Sequence, residues 1–205
     1  MKSIAIDTKV EYIEKKSRFI GLVYHVETLS EIESKISQSK TDYPGANHYT
    51  YAYILDDLNQ KYSDDGEPTR TAGYPILEVI KNNQLNDCLV IVIRYFGGIL
   101  LGAGGLIRAY SHTAALAIKE APISKKIITY TCKVTCDYDS VGNIDKIVRE
   151  KTILDRVEYS TQVTFYFQTD EIKIDAIKQE LFNNNKYSDH LEVIEAKPQY
   201  VKIDY

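Results

Sequence analysis

The sequence predicts an α+β fold in two parts, and three features carry that expectation. Strand-like alternation and helix-like periodicity are interleaved through the first 122 residues. The run from Cys88 to Ile93 is apolar on both parities, as a strand covered on both faces must be. Beyond Lys126 the rhythm settles into strand, helix, strand, strand, helix, strand, the split-βαβ order of ferredoxin-like domains.

In order along the chain, VEYIEKK and SRFIGLVYHV alternate as a strand pair between Val10 and Val26, with Phe19, Gly21 and Val23 on one face and Ile20, Leu22 and Tyr24 on the other. Thr28 is placed to cap a helix over Leu29 to Lys40, which Tyr43-Pro44-Gly45 ends. The strand HYTYAYIL then sets Tyr49, Tyr51, Tyr53 and Leu55 on one face and His48, Thr50, Ala52 and Ile54 on the other. Such a tyrosine ladder either stacks nucleic-acid bases or packs beneath a helix.

Asp56 to Asn59 is turn chemistry, and Tyr62 leads into SDDGEP, where glycine and proline forbid regular structure. A helix is expected from about Thr71, with Pro75 in its first turn and Ile76, Leu77, Val79 and Ile80 as its apolar stripe. After the strand ending at Arg94 and the loop GGILLGAGG comes a long helix whose inward face is Leu106, Ala109, Tyr110, Thr113 and Ala117. Arg108, Ser111, His112 and Ala115 form another face. Pro122 to Lys126 reads as a linker between domains at 1–124 and 129–205.

Composition limits the function. Lysine and arginine number thirteen against fifteen acids up to Pro122, and twelve against fourteen beyond it, so neither half is a basic arm and nucleic-acid binding must be local. No segment approaches the length of a membrane span, and the charged N-terminus lacks the pattern of a signal peptide. Three cysteines in apolar runs fit reduced thiols in a cytoplasmic protein. No serine or cysteine stands in a nucleophile context.

The chemistry concentrates between Tyr62 and His112, which holds seven of the ten glycines and three of the six arginines. Gly97, Gly98, Gly102, Gly104 and Gly105 fall where a strand gives way to a helix, which suits either a phosphate cradle or a tight structural turn. Arg94 and Arg108 are candidate phosphate contacts. Asp64, Asp65 and Glu67 can hold Mg²⁺ together with substrate phosphates, or can cap the next helix and pair with Arg70, Arg94 or Arg108. His48 and His112 are candidate acid–base groups.

SDDGEP, TAGYPIL, RYFGGILLGAGGLIRAYS, KKSRFIG and NHYTYAY, which together span residues 15–115, resemble the signature blocks of the IMPACT (YigZ-type) family. Arg70 is a departure, since the family commonly has glycine there. The resemblance implies an N-terminal α/β sandwich like the second domain of a small-subunit ribosomal protein, followed by a ferredoxin-like domain. It also implies an association with translation and nucleic acid, with no established catalytic set. The expected partner is RNA or the ribosome, bound through the glycine loop, Arg94 and Arg108. The alternatives are a Mg²⁺-dependent enzyme acting on a small phosphate compound, and protein binding through the tyrosine strand.

Overall fold

The computed structural model describes residues 1–185 and 190–202. The chain forms two compact units, one holding Met1–Lys125 and, of the described C-terminal residues, Tyr200–Lys202, the other Lys126–Gln199.

In the first unit, β1 (Lys2–Ile4) precedes a hairpin of β2 (Thr8–Glu14) and β3 (Ser17–His25). Its two turn residues, Lys15 and Lys16, have φ of 45° and 65°. Positive φ at both central residues makes the twist of a two-residue turn match its strands, and asparagine or glycine usually supplies it. Helix α1 (Leu29–Asp42) begins on a reciprocal capping box: the Glu31 amide donates to the Thr28 hydroxyl, and the Thr28 amide donates to the Glu31 carboxylate. Strands β4 (His48–Ile54) and β5 (Gln60–Ser63), helix α2 (Gly73–Asn82), strand β6 (Cys88–Tyr95) and helix α3 (Gly102–Glu120) complete the unit.

The sheet order is β2-β3-β6-β4-β5, and all four neighbouring pairs are antiparallel. The strand periodicity places Phe19, Val23, Ala52, Ile54, Val90 and Val92 in a core with α2 and α3. Ile20, Leu22, Leu89, Ile91 and Ile93 join Ile32 of α1 on the opposite face. Central strand β6 is therefore covered on both sides, as its unbroken apolar run requires. Tyr49, Tyr51 and Tyr53 pack against the α1-side core, and the Tyr49 hydroxyl donates to the Tyr43 carbonyl at 2.6 Å. The tyrosine ladder is thus packing beneath a helix, not a free stacking platform.

Two expectations change. Gln60–Ser63 pairs with β4 as an edge strand, where the sequence suggested only a turn leading into SDDGEP. The expected linker is the start of β7 (Ile123–Cys136), whose first three residues pair with β1. Pro122 ends α3 without ending regular structure, because β1 offers a free edge.

The second unit continues β7 into α4 (Val141–Lys151), β8 (Ile153–Tyr159), β9 (Val163–Asp170), α5 (Ile174–Asn185) and β10 (Leu191–Lys202). The spatial order is β10-β7-β9-β8. Phe165, Phe167 and Val134 of the sheet close a core with Ile144 and Val148 of α4 and Ile177 and Leu181 of α5. Residues 203–205 of the second domain expected at 129–205 lie outside the described residues. Cys88, Cys132 and Cys136 are free and buried, and burial pushes the Cys132 thiol up to about 11. Among the described residues no helix is long and apolar enough to cross a membrane.

Candidate functional site

The central stretch folds around Glu67. Its side chain is buried, and Oε1 accepts hydrogen bonds from Arg94 Nη1 at 2.6 Å and from the Tyr110 hydroxyl at 2.7 Å. Strand β6 delivers Arg94 and the inward face of α3 delivers Tyr110, so one carboxylate ties the central strand to the long helix. Arg94 lies between the rings of Phe19 and Phe96, at 5.5 and 5.4 Å from their centroids, and its Nη2 reaches the buried Ser17 hydroxyl at 3.4 Å. Burial, followed by the Glu67 charge, pushes the Tyr110 hydroxyl well above its ordinary value, so it stays a neutral donor. His48 Nε2 stands 3.8 Å from Glu67 Oε1, while its Nδ1 meets the Asp65 carbonyl at 2.7 Å.

The other acids serve the backbone. Asp64 Oδ1 accepts from the Ala72 and Gly73 amides at 3.0 and 2.8 Å, and Oδ2 accepts from the Arg70 amide at 2.8 Å. It therefore satisfies the first donors of α2, whose own N-cap residue, Ala72, has no side chain able to do so. Asp65 Oδ2 accepts from the Tyr49 amide at 2.6 Å. The three acids consequently do not gather as a Mg²⁺ site, and among the described residues no three His, Cys, Asp or Glu side chains are grouped to hold a metal ion.

Among the described residues Arg70 makes no ion pair; its guanidinium lies over the Tyr74 ring, 4.1 Å from the centroid. Its φ is 62°, a left-handed conformation that glycine adopts freely and other residues reach at a cost of about 1–2 kcal/mol. The glycine common at this position in the family thus has a backbone reason. Replacing Arg70 by glycine should leave stability in urea unchanged or raise it by up to about 1 kcal/mol, since relief of the left-handed strain offsets glycine's entropy and the lost ring contact. A loss larger than about 1 kcal/mol would contradict this reading of the loop.

The glycine loop is largely accounted for by the fold. A Cβ on Gly97 would lie 2.0 Å from the Lys16 carbonyl carbon, so the loop presses on the β2–β3 turn. Gly98 and Gly102 have φ of 82° and 68°, and Gly104 and Gly105 lie in the first turns of α3. Leu101, at the helix N-cap, supplies no side-chain hydrogen bond.

Two cavities flank this helix start. One, of about 420 Å³, is lined by His48, Glu67 and Arg94 with the apolar Phe96, Leu101 and Leu106. The other, of about 470 Å³, is lined by Tyr12, Glu14, Lys15, Arg108, Ser111 and His112. Glu14 accepts from the Tyr12 hydroxyl at 2.6 Å, and the His112 ring lies 4.6 Å from that of Tyr12. Arg108 and Lys15 form no ion pair among the described residues. The two candidate phosphate arginines are therefore unlike: Arg94 is neutralised by a buried acid, whereas Arg108 is exposed and has no ion pair among the described residues. Lys15 and Tyr12 escape sequence reasoning because only the hairpin register carries them to α3. Phe96 and Ser17 lie within the signature blocks, but nothing in their residue types marks them as neighbours of Arg94.

The fold and site define a two-unit α+β protein with antiparallel sheets, its N-terminal unit organised around a buried acid, arginine and tyrosine beside a glycine-rich helix start. A family model described as the Impact N-terminal domain matches residues 15–118. The IMPACT family member YvyE of Bacillus subtilis (strain 168) is 37% identical over 172 residues, 82% of this chain and 79% of the relative. The IMPACT family member YigZ of Escherichia coli (strain K12) is 33% identical over 145 residues, 69% of this chain and 71% of the relative. The chain belongs to the IMPACT family. A solved structure described as a crystal structure of an hypothetical protein shares the fold, with a TM-score of 0.59 at 24% identity, covering 99% of this chain and 97% of the other.

Proposed function

We propose that this protein binds RNA in the control of translation, and that its contact surface is the groove between the β2–β3 turn and α3. The observation that carries the reading is that two cations, Lys15 and Arg108, line one cavity with a single acid, Glu14, which accepts from Tyr12, and neither cation forms an ion pair among the described residues. In a chain of net charge −4, such a local cationic groove is where a phosphate backbone gains most. The uncapped start of α3 adds amide donors of the same polarity. Family membership, through its implied association with translation, supplies the process. The β10-β7-β9-β8 order supports treating the second unit as ferredoxin-like, and the helix-covered first sheet supports the ribosomal-protein-like sandwich. The cytoplasm is the compartment where that role would be exercised.

The test is fluorescence anisotropy of a labelled single-stranded oligoadenylate across a salt series. Each neutralised phosphate contributes a slope of about −0.7 in log affinity against log salt. Arg108→Ala should flatten the slope by about that amount and weaken binding several-fold at low salt. An unchanged slope, or no binding at low salt by the parent chain, would refute the groove as an RNA contact.

A further inference from the structure

The cavity beside Arg94 has a chemistry that phosphate binding does not use. Arg94 and Glu67 offset one another at 2.6 Å, so the cavity offers no net charge to an ion. What Glu67 and His48 offer is acceptors. Glu67 Oε1 is occupied by Arg94 and Tyr110, but no described group donates to Oε2 of this buried side chain. The Asp65 carbonyl can only accept, so the hydrogen bond at His48 Nδ1 places that ring's proton on Nδ1. In its neutral form the imidazole then presents its lone pair on Nε2, 3.8 Å from Glu67 Oε1. Two neighbouring acceptors thus sit beside the apolar surfaces of Phe96, Leu101 and Leu106.

A ligand that satisfies both must bring two adjacent N–H donors on a flat, uncharged, largely apolar body. A guanidinium brings the donors but also a charge that Arg94 repels. Among the nucleobases, guanine sets N1–H and N2–H side by side on its Watson–Crick edge. Adenine, cytosine and uracil each set an acceptor next to their donor, and that acceptor would face a carboxylate oxygen or an imidazole lone pair.

We propose that this cavity binds an unstacked guanine base, its donor edge on Glu67 and His48 and its ring against Phe96. That the guanine belongs to RNA rests on the function proposed above, and Leu101, which lines both cavities, places the base site next to the phosphate groove.

The experiment uses the full ¹⁵N-labelled chain and free nucleosides, which carry no phosphate. Guanosine should shift the amides around Phe96 and Ala103, with an affinity at least tenfold above that of inosine, which lacks the N2 amine, and of adenosine. Phe96→Ala, at an exposed position, should weaken guanosine several-fold while leaving the salt slope for oligoadenylate unchanged. Equal affinity for guanosine and inosine, or guanosine shifts confined to other regions, would overturn the base pocket even if oligoadenylate binds as expected. Guanosine selectivity without oligoadenylate binding would uphold the pocket and discard the RNA groove.

Discussion

Removing either partner of the Glu67–Arg94 pair should cost roughly 3–5 kcal/mol of the first unit's stability. The magnitude follows from burial. Both side chains are withdrawn from water, so among the described residues Glu67→Ala leaves the guanidinium the Ser17 hydroxyl at 3.4 Å and two aromatic rings, with no acceptor at its Nε. Arg94→Ala leaves a carboxylate held by the Tyr110 hydroxyl with His48 nearby. The double variant should cost less than the sum of the singles, because it removes both charges together. Hydrogen exchange of the β6 amides in a urea series reads the first unit alone. Single-variant losses below about 1 kcal/mol would mean that the pair is not the anchor of the site.

Gly97→Ala should be comparably damaging. Its new methyl would meet the Lys16 carbonyl carbon at 2.0 Å and the Ser17 amide nitrogen at 2.4 Å, both of them backbone atoms that cannot rotate away. Overpacking of this kind costs about 1–3 kcal/mol and sometimes more. The upper end is expected because the turn it strikes already holds Lys15 and Lys16 at positive φ. Gly98→Ala is the informative control: nothing lies within 4 Å of its added Cβ, so only the strain of its 82° φ remains, about 1–2 kcal/mol. Equal losses for the two variants, measured by the same exchange experiment, would show that close approach is not what Gly97 provides.

The elements most legible in the sequence are those whose periodicity is enforced by burial. Strands β3, β4 and β6 divide their side chains between two cores along the alternation of their residues, and Leu106, Ala109, Tyr110, Thr113 and Ala117 do face inward on α3. Edge pairing is less legible. Strand β5 is four residues long with no buried member, and the first residues of β7 are strand only because β1, more than a hundred positions earlier, lies beside them.

The site was legible in its residue types but not in its partnerships. Sequence placed Asp64, Asp65, Glu67 and Arg94 in one region, with His48 a separate candidate, yet only the fold shows that Asp64 caps α2, that Asp65 holds the β4 backbone, and that Glu67 alone turns inward to Arg94. Backbone capping by a side chain six to nine residues upstream leaves no periodic trace. Arg70 stands where the family commonly has glycine, and its positive φ shows the backbone requirement being met at a cost.

The proposed RNA contact surface is tested most directly by photo-crosslinking. A single-stranded oligonucleotide carrying 4-thiouridine, bound to the full chain at low salt and irradiated, should attach to peptides from the β2–β3 turn and the first half of α3, around Lys15 and Arg108, and Arg108→Ala should reduce the yield. Crosslinks confined to residues beyond Lys126, or a yield indifferent to Arg108, would contradict the account.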